Sequence, residues 1–258
     1  MFISLKNINT SLNEYSKEGP YDHCIIDNFF KPEIAKKLEY EFPNYDSDIW
    51  QKYNNAIEVK KMNNIWNYFP KTTYQVLNYL NSDKFVSILE KKIFNKNKLY
   101  SDMGLNGGGW HIHKSGGKLN THLDYSLHPK LGLQRKFNLI IYLNSNWRED
   151  WGGSLGMWGN KSSKKPGKLI KSIVPKFNKA ILFDTTQNSW HGLPDPIKCP
   201  QNEYRKSLAV YYLCEPSGKI SKRGKALFAP NESQKNNKEV LELIKKRSFI
   251  KGASKVYY

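Results

Sequence analysis

The apolar positions along the chain follow a helical period in the first third and an alternating period afterwards. In residues 31–42 apolar side chains recur every four positions, the spacing of one face of an amphipathic helix. Residues 72–94 predict two further helices that break near 81–83. Residues 23–30 predict a short strand, whereas 45–70 show no clear period. We expect the helices to support a sheet from its outer side.

From about residue 98 the chain changes to short segments in which apolar and polar residues alternate, with glycine turns between them. Closely spaced strands of this kind favour an antiparallel sandwich or barrel over a parallel sheet with crossover helices. The six clearest segments are WHIHKSGGKL (110–119), KFNLIIYLN (136–144), GGSLGMWG (152–159), KLIKSIVP (168–175), KAILFDTT (179–186) and KSLAVYYLC (206–214).

These patterns predict a mainly β protein with flanking helices, an α+β organisation in three parts. A helical flank at 1–97 is expected to pack on a β core at 98–215. A basic C-terminal extension at 216–258 follows, with one predicted helix within 233–247.

The composition excludes several classes of protein. Hydrophobic residues make up 39% of the chain and aromatic residues 14%, which is enough to bury a core and excludes a disordered chain. No apolar run is long enough to span a bilayer, and the opening residues lack the pattern of a signal peptide. The three cysteines are scattered without CxxC spacing, so we expect no disulfide framework, no zinc site and a cytoplasmic location.

The net charge of +18 raises the question of a nucleic-acid partner. Most of the excess is lysine, and it is dispersed along the chain with abundant asparagine. We therefore interpret it first as a solvated surface, including the basic tail at 219–255. Nucleic acid stays open as a less favoured partner.

A candidate metal site begins at His122-Leu123-Asp124. Alone, a His-x-Asp tripeptide is more often a solvated turn than a pair of ligands. His191, after the strand-like segment KAILF, supplies a third group. Two imidazoles and one carboxylate form the facial triad of non-haem Fe(II) oxygenases. A structural zinc would instead require a closed tetrahedral shell, usually with thiolates, and the cysteines lie elsewhere.

Arg205 adds an anion-binding group at the beginning of the last predicted strand. If this strand alternates, Arg205, Ser207, Ala209 and Tyr211 share one face. A guanidinium beside a hydroxyl is suited to a carboxylate, which it holds through two parallel charge-assisted hydrogen bonds. The combination with a metal predicts a small dicarboxylate that bridges the metal and Arg205.

Two other strands carry polar groups on one face. Asn138, Ile140 and Tyr142 share a face of segment 136–144, opposite a purely apolar face, as expected for a strand that lines a ligand cavity. His111 and His113 share a face of the strand that precedes the metal motif. They either face the cofactor or are hydrogen-bonded strand histidines, and the first interpretation is favoured slightly for His113 because it lies nearer the motif.

Several of these segments together resemble the Fe(II)- and 2-oxoglutarate-dependent dioxygenases, in their prolyl 4-hydroxylase-like branch. The resemblance covers about residues 98–214, and the combination is specific where each piece alone is not. The segments that carry it are HLD (122–124), RKFNLIIYLNSNWREDWGGSLGMW (135–158), FNKAILFDTTQNSWHGLP (177–194) and RKSLAVYYL (205–213).

The resemblance implies a double-stranded β-helix core of the jelly-roll or cupin type. It implies iron ligation by His122, Asp124 and His191, and binding of the distal carboxylate of 2-oxoglutarate by Arg205. Tyr142 matches a phenol that contacts the same carboxylate in some relatives. Ser207, Asn138 and His113 join as candidates from their strand faces. The candidate cofactor-binding residues are therefore Arg205, Tyr142, Ser207, Asn138 and His113.

The implied activity is hydroxylation of a prolyl residue in a protein or peptide, or of a related small molecule. It consumes O2 and 2-oxoglutarate at Fe(II), releases succinate and CO2, and allows ascorbate as a further cofactor. Two alternatives stay open: a nucleic-acid-modifying oxygenase, and a non-catalytic basic binding module on the same fold. The first would carry a second arginine pattern that RKSLAVYY lacks, and the second would be expected to lose a ligand or the arginine.

The remaining candidates are expected to be structural. His128 is predicted to lie in a solvated loop, and Arg135 and Arg148 are interpreted as solvated charges. Gly152-Gly153 is expected to form a hairpin bend. The stretch between His191 and Arg205 is longer than in the relatives and rich in proline, so the identity of the arginine depends on strand alternation.

Overall fold

The computed structural model describes residues 2–95, 97–159, 162–218, 220–221 and 223–248. The helices in these ranges are α1 (Leu5–Leu12), α2 (Pro32–Tyr40), α3 (Lys71–Leu80), α4 (Asp83–Ile93) and α5 (Lys238–Ser248). The strands are β1 (His23–Ile26), β2 (Gln51–Asn54), β3 (Glu58–Asn63), β4 (Leu99–Ser101), β5 (Gly109–His113), β6 (Lys118–Leu119), β7 (His122–Leu123), β8 (Gln134–Tyr142), β9 (Leu155–Trp158), β10 (Leu169–Ile173), β11 (Ala180–Asp184), β12 (His191–Gly192), β13 (Arg205–Cys214) and β14 (Leu227–Phe228).

The strands form two antiparallel sheets. The larger sheet has the order β1-β11-β8-β13-β5-β3-β2, with β4 beside β13 and β6 beside β3. The smaller sheet has the order β10-β9-β12-β7-β14. Apolar residues of the two sheets, among them Tyr142 and Phe183 of the larger and Leu155 and Met157 of the smaller, pack in one buried cluster. The prediction of a mainly β, double-stranded β-helix core is confirmed.

The alternation of β8 and β13 separates the two faces of the larger sheet. Phe137, Leu139 and Ile141 of β8 and Val210 of β13 belong to the core that the first four helices also share. The residues between them face the smaller sheet and the cavity between the two sheets, among them Asn138 of β8 and Ala209 of β13. The two helices predicted with a break near 81–83 are present as α3 and α4, which confirms the helical period.

The first 97 residues contribute more than helices. Residues 45–70, which show no clear sequence period, contain β2 and β3, and these strands extend the larger sheet beyond β5. β1 pairs with β11 at the opposite end. The three-part division of the chain stays a prediction, although its N-terminal part is more intimately joined to the core than a helical flank would be.

The C-terminal extension also joins the core, so the prediction that the basic tail is solvated surface is wrong for part of it, although Lys235, Lys238, Lys245 and Lys246 are exposed. β14 pairs with β7, so that Phe228 lies opposite His122. Val240 and Ile244 of α5 pack with Phe228 and Ile57. The sequence does not predict this packing, because charged residues predominate in the tail and the few apolar residues that pack into the core are widely spaced. Residues 219, 222 and 249–258 lie outside the described ranges.

Within the ranges that the structure describes, no helix combines the length and the apolar character that crossing a bilayer requires.

Candidate metal and co-substrate site

His122, Asp124 and His191 converge at one end of the cavity between the sheets. β7 and β12 are adjacent strands in which His122 lies directly opposite His191, with ring centroids 4.3 Å apart. Asp124 follows β7, and its Oδ1 and Oδ2 lie 3.8 Å and 3.9 Å from Nε2 of His122 and His191. One ligand atom from each residue lies within 4.8 Å of the others, and all three side chains are buried. This spacing fits a single metal ion.

Backbone contacts fix the orientation of both histidines. Nδ1 of His122 donates to the carbonyl oxygen of Asn120 at 3.0 Å, and Nδ1 of His191 donates to that of Ser189 at 2.8 Å. A carbonyl can only accept, so each Nδ1 carries the proton and each Nε2 keeps its lone pair for a metal. Burial, with His191 nearby, lowers the pKa of His122 to about 3, which keeps this imidazole neutral.

Asp124 is held ionised by its surroundings. Asn138 Nδ2 donates to Oδ2 at 3.1 Å, and Arg135 Nη1 lies 3.4 Å from Oδ1. Burial opposes ionisation, but the Arg135 guanidinium, followed by the two histidines and Asn138, outweighs it and lowers the pKa of Asp124 to about 2. Asn138, predicted to bind the cofactor, thus contacts the metal-binding carboxylate.

The interpretation of Arg135 as a solvated charge is wrong. Its guanidinium lies between the rings of Tyr125 and Tyr211, 3.3 Å from each centroid, and Nη2 donates to the Asn106 carbonyl oxygen at 2.6 Å. Simple alternation from Asn138 places Arg135 on the opposite face. A bulge in the pairing of β8 with β13 adds Lys136 as an extra residue and turns Arg135 inward.

The other end of the cavity contains Arg205. Its Nε donates to the Gly153 carbonyl oxygen at 2.6 Å and its Nη2 to the Tyr142 hydroxyl at 3.1 Å. Arg205 is buried and lines the cavity, and among the described residues no carboxylate lies within ion-pair distance of it. Burial lowers the pKa of this guanidinium, although Tyr142 opposes the change. A buried cation without an acid is suited to a carboxylate ligand.

Gly152-Gly153 does not form a hairpin bend as predicted, because it leads from β8 in the larger sheet to β9 in the smaller one. Gly153 has φ +72°, and a Cβ on it would lie 3.1 Å from Cδ of Arg205. Glycine therefore allows the carbonyl of this residue to approach the arginine.

Ser207 and His113 also line the cavity, as predicted from their strand faces. Ser207 lies opposite Tyr142, and His113 lies opposite Arg205 in the pairing of β5 with β13. His113 is buried, and neither ring nitrogen has a hydrogen-bond partner among the described residues. His111 lines the same cavity, and its Nε2 donates to the Gly107 carbonyl oxygen at 3.1 Å.

His128 is buried, so the prediction of a solvated loop residue is wrong. Its Nδ1 accepts from the backbone N–H groups of Lys130 and Leu131, and its Nε2 lies 3.6 Å from Asp102 Oδ1. It contacts no member of the triad. Arg148, in contrast, is exposed and pairs with Asp150 at 2.8 Å, as expected of a surface charge.

The C-terminal extension supplies contacts to the metal end that the sequence did not predict. The Phe228 ring stacks on His122 with centroids 5.0 Å apart. Arg223 Nη2 donates to the backbone carbonyl of Asp124 at 2.8 Å, and the Arg223 carbonyl accepts from the backbone N–H of Ser126 at 2.7 Å. In the sequence, the aromatic residue Phe228 within a mostly charged segment is the local signal for such a contact.

These residues fit both groups that the resemblance implies. Three buried ligands on one side of a cavity leave room for further ligands, as a facial triad requires and a closed zinc shell does not. The cavity has a volume of about 250 Å³ and reaches from the triad to Arg205, which has no acidic partner within the described ranges, and this suits a small dicarboxylate. His122, Asp124 and His191 would hold Fe(II), and Arg205 with Tyr142 would hold the distal carboxylate of 2-oxoglutarate.

Comparisons with known proteins agree with this geometry. Residues 108–213 match the family model of the 2OG-Fe(II) oxygenase superfamily. The prolyl 3-hydroxylase OGFOD1 of Xenopus laevis is 37% identical over 63 residues, which are 24% of this chain and 12% of that protein. OGFOD1 of Mus musculus is 23% identical over 69% of this chain and 30% of its own length. The chain thus spans less than a third of the length of either relative.

Two solved structures share the fold. A Pseudomonas putida prolyl-4-hydroxylase superposes with a TM-score of 0.58 at 15% identity, over 81% of this chain and 100% of that one. A Trichoplax adhaerens prolyl hydroxylase, solved with a peptide fragment of the hypoxia inducible factor oxygen degradation domain, gives 0.57 at 21% identity, over 81% and 91%. Residues 108–213 are therefore similar to the 2OG-Fe(II) oxygenase superfamily, and the fold that brings His122, Asp124, His191 and Arg205 together is that of these prolyl hydroxylases.

Proposed function

We propose that the protein is an Fe(II)- and 2-oxoglutarate-dependent dioxygenase that hydroxylates a prolyl residue in a protein or peptide. The observation that carries the proposal is the convergence, in one cavity, of a buried two-histidine, one-carboxylate triad and an arginine that has no acidic partner among the described residues. The prolyl substrate is supported by the relatives named as prolyl hydroxylases.

In this proposal each residue of the cavity has a distinct task. His122 and His191 present Nε2 to the metal because their Nδ1 protons are committed to the backbone. Arg205 and Tyr142 bind the far carboxylate of 2-oxoglutarate and so fix its keto-acid end towards the triad. Iron with 2-oxoglutarate and O2 supplies the oxidising power, and one oxygen atom enters the substrate while the other enters succinate as CO2 leaves.

The test is to incubate the protein with Fe(II), 2-oxoglutarate and a library of proline-containing peptides, and to measure succinate together with a one-oxygen increase in peptide mass. Amino-acid analysis of the product then distinguishes 3-hydroxyproline from 4-hydroxyproline. Succinate that rises with a peptide and not with free proline or with RNA or DNA supports the proposal. Turnover that rises only with nucleic acid would replace it by the alternative that the net charge of +18 keeps open.

Two finer features belong to the same proposal. Ascorbate is proposed as a reductant that sustains turnover, and its omission should shorten the linear phase of succinate formation. A cytoplasmic location is proposed from the cysteines, because Cys24, Cys199 and Cys214 are all buried and free, as is usual in a reducing compartment.

A further inference from the structure

The exposure of the residues that line the cavity shows where it opens to solvent. Among the described residues of the lining, only Gln51 and Pro129 are exposed. Gln51 begins β2, and its Nε2 lies 3.5 Å from Oδ1 of Asn64, a half-buried residue of the same lining. A ligand therefore enters the cavity between Gln51 and Pro129, beside Asn64.

The loop before β5 is tied to both sides of this opening. Nδ2 of Asn64 donates to the Leu105 carbonyl oxygen at 3.1 Å. On the other side, Pro129 follows His128, whose Nε2 lies 3.6 Å from Oδ1 of Asp102. The same loop continues into the cavity lining in the next two residues after Leu105. The surface that this loop shares with the chain after β3 is thus continuous with the cavity.

Four large apolar side chains are exposed on this surface, and we refer to them as the apolar rim: Ile65, Tyr68, Tyr74 and Met103. Trp66 joins them. Its Nε1 donates to the Met103 carbonyl oxygen at 2.7 Å, and its ring packs edge-on against Tyr74 with centroids 5.1 Å apart. Ile65 and Tyr68 belong to the same helical turn as Trp66, closed by a 3.1 Å backbone hydrogen bond between them. Hydrogen bonds and ring packing therefore organise the rim without a ligand.

The two segments that carry most of the rim are uncharged, although 25% of the residues of the chain are charged. No residue of 62–70 and none of 103–110 has a charged side chain. Single exposed apolar residues are usual on protein surfaces, whereas a contiguous group of them is typical of a binding surface. Aromatic residues and methionine are also the types that are enriched where proteins bind other chains. The rim therefore indicates an apolar ligand segment next to the opening.

We propose that the apolar rim binds the part of the substrate peptide that flanks the target proline, and that it selects a large aliphatic or aromatic side chain there. The inference rests on the proposed function, because a peptide that places a proline beside the triad passes Asn64 and continues over the surface next to it. A nucleic acid is less well suited, since it binds through phosphate contacts to cations and these two segments contain none.

The test measures binding without turnover, so that its failure is distinct from failure of the proposed reaction. The probes are fluorescein-labelled peptides with one proline among serines and glycines, in which a single leucine is moved from position to position on either side of the proline. They are added to protein loaded with Mn(II) and 2-oxoglutarate. Fluorescence anisotropy is expected to show about tenfold tighter binding for leucine at its best position than for asparagine at the same position.

The preference for leucine should persist as salt rises, because salt screens charges and not the burial of apolar surface. Equal affinity for the leucine and asparagine peptides at every position would overturn the inference.

Two pairs of matched variants locate the effect. Ile65→Ser and Tyr68→Ser should each remove most of the preference for leucine. Ile170→Ser in β10 and Tyr40→Ser at the end of α2 should keep it, because both residues are exposed and neither element contributes a residue to the cavity lining. Mn(II) affinity and circular dichroism check the fold of each variant, and the two rim variants test the inference independently.

An equal loss of the preference in the rim variants and in their controls would mean that the rim does not bind the peptide. A dimer of the protein, detected by sedimentation and abolished by Ile65→Ser, would show that a second copy of the chain covers the rim and would also overturn the inference. So would binding of an RNA oligonucleotide that is lost in the same variant. Hydroxylation that is absent while the leucine preference persists would instead contradict only the proposed reaction.

Discussion

The two ends of the cavity are built in different ways. The metal end contains His122, Asp124 and His191, and the carboxylate end contains Arg205 and Tyr142. β7 and β12, which carry His122 and His191 of the candidate triad, have two residues each. β8 and β13, which carry Tyr142 and Arg205, have nine and ten residues and pair over most of their length. The carboxylate end is therefore held by a regular ladder of backbone hydrogen bonds. The metal end depends instead on contacts from side chains of segments that are distant in sequence.

This difference indicates which end of the site should be more sensitive to substitution of surrounding residues. Around Asp124, support comes from Asn138 and Arg135 of β8 and from Arg223 of the C-terminal extension. Around Arg205, support comes from the Tyr142 hydroxyl and the Gly153 carbonyl, which the strand register and a glycine place. Substitutions that touch no ligand should therefore affect metal affinity more than 2-oxoglutarate affinity.

The largest effect is expected for the triad itself. Loss of a residue that only supports a metal ligand weakens metal binding by up to about 100-fold, so loss of a ligand should weaken it at least as much. Asp124→Ala should therefore weaken Mn(II) binding at least about 100-fold and abolish succinate formation. His122→Ala and His191→Ala should behave alike. Calorimetry with Mn(II) gives the affinity, and Asp150→Ala, at an exposed carboxylate, is the matched control. Near-native Mn(II) binding by His191→Ala would remove it from the triad.

Next in size is the effect at the carboxylate end. Arg205→Ala should weaken 2-oxoglutarate binding by roughly 2–5 kcal/mol, because a buried charged pair loses one partner, and Arg205→Lys should weaken it less. Calorimetry on Mn(II)-loaded protein measures this change while Mn(II) affinity stays close to that of the unmodified protein. Arg148→Ala, at an exposed arginine, serves as control. Unchanged 2-oxoglutarate affinity would show that another cation holds the carboxylate.

An intermediate effect on the metal is expected from Arg223→Gln, which touches no ligand side chain. The substitution removes the hydrogen bond to the Asp124 carbonyl oxygen. Mn(II) affinity should then fall about tenfold, the lower limit of the loss that is typical when a residue supporting a metal ligand is removed. Arg148→Gln is the control. An affinity equal to that of the control would mean that β7 alone orients the aspartate, and the contrast between the two ends would then be lost.

The pH dependence of metal binding gives a sharper test of Arg135. Its guanidinium holds the pKa of Asp124 at about 2, and burial alone would raise that pKa. In the Arg135→Gln variant the carboxylate should therefore take up a proton at higher pH as acid is added, and Mn(II) release should shift to higher pH. Electron paramagnetic resonance of free Mn(II) measures the midpoint. A midpoint that does not move would leave Arg135 with a packing role only.

The smallest effect is expected for Tyr142→Phe, which removes one hydrogen bond to Arg205. 2-Oxoglutarate affinity should fall by about 0.5–1.5 kcal/mol, the net value of a single hydrogen bond, because the ladder still places Arg205. Tyr100→Phe removes a comparable hydroxyl, bonded to Glu215 at an exposed site, and should change nothing. A loss as large as that of Arg205→Ala would mean that Tyr142 and not the strand register positions the arginine.

The elements whose side chains repeat with a local period could be predicted from the amino-acid sequence alone. The stripes of α2, α3 and α4 and the alternation of β8 and β13 depend on neighbours two to four positions away. The alternation sufficed to place Asn138 on the cavity face and Tyr142 on the same side, where its hydroxyl contacts Arg205. Arg205 was recognisable for the same reason, because it lies at the beginning of a predicted strand.

The contacts that surround these residues depend on how distant segments pack together. The bulge that turns Arg135 inward exists only where β8 meets β13. The burial of His128 depends on Asp102, and the pairing of β14 with β7 joins Phe228 to His122 across the chain. Such contacts arise between segments that are distant in sequence, and packing selects them. A local period of two or four residues does not predict which distant segment will pack against a strand or helix.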